Sequence, residues 1–84
     1  MNSMDVKVGQ KYRHVKSKTD YVIVTLGKFQ APDEYPELDL IDVVVYEALY
    51  GNNLSKIWVR PLSMFTEISE IDGVQRTKFE LIEE

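Results

Sequence analysis

Trp58-Val59-Arg60-Pro61-Leu62-Ser63-Met64-Phe65 places a strand, a forced stop and a helical turn in one short block. Pro61 lacks a backbone donor, so it ends any ladder that runs through Trp58 to Arg60, and its fixed φ suits the first position of a helical turn. Leu62 and Phe65 then stand three residues apart on that turn, which predicts that both drop onto the open end of a small β structure. Trp58 and Phe65 read as core residues, and Arg60 is the polar member of the block.

Upstream of the block, Gly51-Asn52-Asn53 tolerates positive φ and predicts a reversal into a strand from Lys56 to Arg60. The segment from Leu40 to Tyr50 is almost wholly apolar or aromatic. Its Val43-Val44-Val45 run disfavours a surface helix, so it reads as a long central strand. Tyr46 and Tyr50 share a face of it with Val44 and Ala48, as core or as a shelf at a barrel mouth. Ala31 to Asp39, with two prolines and four carboxylates, reads as an exposed acidic loop.

Farther upstream, Tyr21 to Phe29 predicts a second strand with Val22, Val24 and Leu26 at period two on its inward face and a bend at Gly27. Gly9 to Lys16 predicts a short first strand, with Tyr12 and His14 on one face. Downstream, Asp72-Gly73 marks a reversal, and Lys78 to Ile82 predicts a last strand with Phe79 and Leu81 inward. A helix has room only around Glu67 to Gln75, where Gly73 cuts it short. The expected fold is therefore all-β: a small, strongly bent antiparallel barrel or roll of about five strands with one short helical turn.

The 84 residues suit a single domain over 1–84, with a core across 8–83. The hydrophobic fraction of 44% is that of a folded chain. Cysteine is absent, which excludes disulfides, thiolate metal sites and a cysteine nucleophile. No apolar run approaches membrane-spanning length and no signal peptide is evident, so the expected setting is cytoplasmic and soluble, without membrane contact.

The net charge of −4 conceals an asymmetry. Lys7, Lys11, Arg13, Lys16 and Lys18 form an uninterrupted basic strip, while the remaining chain holds five basic and all fourteen acidic residues. The strip is a candidate surface for nucleic acid, opposed by the acidity of the rest; its plainer role is that of a lysine-guarded strand edge.

Chemistry-bearing sets are missing. One histidine and no cysteine exclude a structural zinc site, and the loop carboxylates lack the spacing of a calcium loop. His14 has no evident nucleophile to activate, and the scattered glycines form no phosphate-binding loop, so no cofactor is expected and catalysis is not. What remains is a binding module. Tyr12, Arg13, His14, Tyr50, Trp58 and Arg60 are its candidate ligand-binding residues, since guanidinium groups beside aromatic rings suit a peptide or a small anionic ligand. Pairing of two copies through an open strand edge is compatible with this.

Three blocks also carry a family likeness: Gly9-Gln10-Lys11-Tyr12-Arg13-His14-Val15-Lys16, Val45-Tyr46-Glu47-Ala48-Leu49-Tyr50-Gly51, and Trp58 to Phe65. In order and content the chain resembles the small bacterial family known as domain of unknown function sixteen-fifty-three. The resemblance spans almost the whole chain and implies a bacterial cytoplasmic protein with a compact SH3-like β-roll. It implies no activity. Segments 31–40 and 52–56 depart from the usual pattern, the first being longer and the second forming a longer hairpin.

Overall fold

The computed structural model describes residues 6–51 and 54–83. The chain forms β1 (Lys11–His14), β2 (Thr19–Lys28), β3 (Asp42–Ala48), β4 (Ile57–Pro61), α1 (Leu62–Phe65), β5 (Ile68–Ile71), β6 (Val74–Thr77) and β7 (Phe79–Glu83). A 3₁₀ turn at Pro36–Leu38 interrupts the exposed acidic loop. The main sheet has the order β4-β3-β2-β1-β7, and every neighbouring pair is antiparallel. A separate hairpin pairs β5 with β6.

The all-β fold and the helical turn match the sequence, but the expected barrel does not close. Strands β4 and β7 are the two edges of the sheet and are not paired with one another. Strand β2, not β3, is the middle strand, and β3 starts at Asp42 because Leu40 takes a left-handed φ of 65° that ends extended pairing. The reversal before β4 includes Asn52 and Asn53, which lie outside the described residues.

The inward face of β2 also differs from its apolar alternation. A register shift between Ile23 and Thr25 leaves Val24 without a partner across the ladder. Tyr21 and Ile23 are buried ahead of it, Val22 stands opposite Glu47 away from the core, and beyond it Leu26 stands opposite core-facing Val44 but remains 40% exposed. The irregularity expected at Gly27 sits at Val24 instead, and Gly27 pairs regularly with Val43.

Around Gly73 the structure holds the β5–β6 hairpin rather than a helix, with Asp72 and Gly73 both at positive φ (53° and 80°). That pair of conformations is a two-residue turn whose twist matches the strands it joins. On β7, Phe79 is buried as expected, whereas Leu81 is exposed.

The core is aromatic. Tyr12, Tyr21, Ile23, Val44, Tyr46, Ala48, Phe65 and Phe79 form one cluster with Val6, and Tyr50, Trp58 and Leu62 pack against it. Pro61 is the last residue of β4 and α1 starts at Leu62, so the strand stop delivers Phe65 into this cluster as the block predicts. Phe65 stacks on Phe79 with centroids 4.2 Å apart and takes the edge contact of Tyr12 at 5.2 Å. Buried Gln10 is satisfied, its Oε1 accepting from the Lys7 N–H at 2.8 Å and the Tyr12 hydroxyl at 2.9 Å.

Candidate functional site

Because the sheet bends without closing, its β4 edge approaches β1 and β7 across a concavity. Cross-strand register decides which side chains reach it. Trp58 and Arg60 of β4 stand opposite Tyr46 and Val44 of β3, on the core face, while Ile57 and Val59 point away. From the other side, His14 stands opposite both Thr19 and Phe79. The resulting hollow of about 380 Å³ is lined by His14, Tyr50, Trp58 and Arg60, together with Tyr46, Phe79 and the hydroxyl-bearing residues below.

Four of the six sequence candidates therefore converge. Tyr12 is placed in the core, and Arg13 on the opposite face of β1, where its Nε and Nη2 reach the two Asp20 carboxylate oxygens at 2.7 and 3.2 Å. That pair holds the Asp20 carboxyl below its usual range, chiefly through the hydrogen bond from Arg13. Of the other lining residues, Tyr21 and Tyr46 were legible as aromatics, and Ser17, Thr19, Leu54 and Phe79 were not singled out for a site. Phe79 was legible only as core, while Ser17 reaches the hollow from the β1–β2 turn and Thr19 and Tyr21 from the start of β2.

Arg60 is held from two sides. Its Cζ lies 5.3 Å from the Phe79 ring centroid, and its Nε donates to the Tyr46 hydroxyl at 3.3 Å. The two terminal amino groups of the guanidinium are left for another acceptor.

Across the hollow, the Ser17 backbone N–H donates to His14 Nδ1 at 3.3 Å, so the neutral imidazole carries its proton on Nε2. Burial lowers the His14 pKa from its ordinary value, and Arg60, Lys78 and Lys16 lower it further. A chain of hydroxyls runs alongside: Ser17 to Thr19 at 2.7 Å, Thr19 to Tyr21 at 3.2 Å, and Tyr21 to Tyr50 at 2.8 Å. The hydrogen bond with Tyr21, and then burial, raise the Tyr50 pKa, so this phenol keeps its proton. Trp58 Nε1 is buried without a hydrogen-bond partner among the described residues.

The charge around the hollow is one-sided. Lys11, Arg13, Lys28, Lys56 and Arg76 all pair with carboxylates. Among the described residues, Lys16, Lys18, Arg60 and Lys78 have no such pair, and Arg60, Lys78 and Lys16 are the cations that act on His14. No carboxylate among the described residues lines the hollow. A more open hollow of about 500 Å³ beside Tyr50 is lined by Glu47 and Lys56, which neutralise one another. Among the described residues no group of three His, Asp or Glu side chains is placed to hold a metal ion, and no helix is long and apolar enough to cross a membrane.

Comparison with known proteins places the chain in a family. The model of the protein family of unknown function DUF1653 matches residues 10–81. The chain belongs to the DUF1653 family. The crystal structure of a DUF1653 protein from Bordetella bronchiseptica superposes with a TM-score of 0.73 at 23% identity, covering 98% of this chain and 94% of that one. At that identity the likeness establishes a shared fold. No curated protein matches the chain. The DUF1653 match takes in all four residues that converge on the hollow.

Proposed function

We propose that this protein is a non-enzymatic binding module whose ligand, a peptide segment or a small molecule with an anionic group, enters the hollow between β4 and β1/β7. The observation that carries this reading is Arg60, a guanidinium with no carboxylate partner among the described residues, fixed by Phe79 and Tyr46 at a concave aromatic surface. Such a group is preorganised, so little side-chain entropy is lost when a ligand binds. The only imidazole is an unsuitable general base because Nδ1 is already engaged with the Ser17 N–H and Nε2 bears the proton. A cytoplasmic setting fits a chain without cysteine.

The basic strip supports a nucleic-acid surface less well. Lys11 is paired with Glu83 at 3.1 Å and Arg13 with Asp20, leaving fewer charges for a phosphate backbone than the sequence suggests.

The test is a ¹⁵N-labelled sample titrated with a mixed panel of neutral, cationic and anionic fragments. The reading expects shift changes that cluster on the His14, Tyr50 and Arg60 amides and the Trp58 indole N–H. Clustering on another surface, or none anywhere, overturns it.

A further inference from the structure

The donor inventory of the hollow narrows the ligand class. Among the described residues its lining holds no Asp or Glu, its five hydroxyls are tied into hydrogen bonds with one another or with Arg60, and its N–H groups left over are the terminal amino groups of Arg60 and the His14 Nε2–H. N–H donors beside uncompensated cations match a group that only accepts. The planar fork of a guanidinium matches the two coplanar oxygens of a carboxylate better than a tetrahedral anion.

The walls supply the second half of the specificity. Trp58 and Tyr50 are half-buried rings packed against the core, so each keeps ring surface free for a contact. A volume of about 380 Å³ suits a small flat molecule. We propose that the hollow binds an aromatic carboxylic acid, its carboxylate taken by Arg60 and its ring lying against Trp58 and Tyr50. This rests on the binding-module reading above and adds the chemical class. Lys16 and Lys78 act as a rim that attracts the anion without touching it, so affinity falls as salt rises.

The test compares benzoate, benzamide, acetate and phenyl phosphate by ¹⁵N NMR, at about 1–10 mM, the range expected for fragments of this size. Benzoate is expected to move the Trp58 indole N–H, with benzamide and acetate each at least about tenfold weaker. Arg60→Gln should weaken benzoate about tenfold, and Trp58→Leu, which removes the aromatic wall, severalfold. Lys78→Gln leaves every core contact in place and should lower affinity at low salt only, which keeps the test decisive if the Arg60 variant fails to fold.

Benzamide binding as tightly as benzoate overturns the carboxylate while leaving the site reading intact. Acetate matching benzoate, or phenyl phosphate exceeding it, overturns the aromatic carboxylate class. Benzoate silent at the hollow, with another fragment of the panel binding there, overturns this inference alone. Silence of every fragment at these four residues overturns the site reading as well.

Discussion

Arg60 of β4 lies with its Cζ 5.3 Å from the Phe79 ring centroid of β7, so residues on the two free edges of the sheet meet across the gap that a closed barrel would fill with hydrogen bonds. One side chain thus has two tasks: it ties the edges together and it points its remaining donors into the hollow. Truncation separates them. Arg60→Ala loses the cation–π contact and the bond to Tyr46, and should cost about 1–2 kcal/mol in urea unfolding. Arg60→Lys retains charge over the ring but not the planar fork, so it should recover stability more fully than ligand binding.

Phe79 is the keystone of the aromatic cluster. It stacks on Phe65 at 4.2 Å and meets the edges of His14 at 5.0 Å, Tyr21 at 5.9 Å and Tyr46 at 5.9 Å. Phe79→Ala opens a cavity in a core with no disulfide to compensate, and a cost of about 3–5 kcal/mol is expected. For a domain of this size that is much of a total stability of about 5–10 kcal/mol. Phe79→Leu fills most of the space and should cost markedly less. Denaturant midpoints of the two variants, with unchanged m-values, are the check.

The block Trp58 to Phe65 was the most legible part of the fold because proline chemistry is local: Pro61 stops a strand and starts a turn whatever surrounds it. The face of β2 was not legible. Val22, Val24 and Leu26 alternate convincingly, yet Tyr21 and Ile23 take the inward face, and a bulge at Val24 that no residue of β2 announces shifts the alternation beyond them. Barrel closure was misjudged for a related reason, since whether two edges pair depends on contacts distant in sequence. Of the residues that the aromatic and Arg blocks offered, His14, Tyr50, Trp58 and Arg60 come together at one hollow. They could not show that Arg13 is spent on Asp20 seven residues on, or that Tyr12 faces the core.

The β5–β6 hairpin rests on its turn. Ile68 and Ile71 are spaced like one face of a helix, and the Asp72-Gly73 pair decides against it by taking two positive φ values. Gly73→Ala meets no steric obstacle, since nothing lies within 4 Å of an added Cβ, so its whole effect is backbone strain at φ 80°. A destabilisation of about 1 kcal/mol is expected. Asp72→Asn, which tolerates the left-handed region equally well, should be neutral. Amide exchange across β5 and β6 would report both.

His14 makes the fold and the hollow sensitive to pH in a defined direction. Burial and the cations Arg60, Lys78 and Lys16 depress its pKa below the unfolded value, so the folded state binds the proton less readily than the unfolded chain. This contribution to stability is fully present above the ordinary imidazole pKa of about 6.5 and is lost as pH falls through the folded value. Protonation also removes the acceptor that Nδ1 offers to the Ser17 N–H. Urea unfolding measured downward from about pH 7 should show stability falling, and His14→Gln should flatten that slope. An anion bound beside Arg60 counters the same positive field, so benzoate should raise the His14 pKa toward its ordinary value, read from its imidazole proton shifts. A His14 titration that ignores benzoate, while benzoate still moves the Trp58 indole N–H, would place the carboxylate away from the His14 side of the hollow.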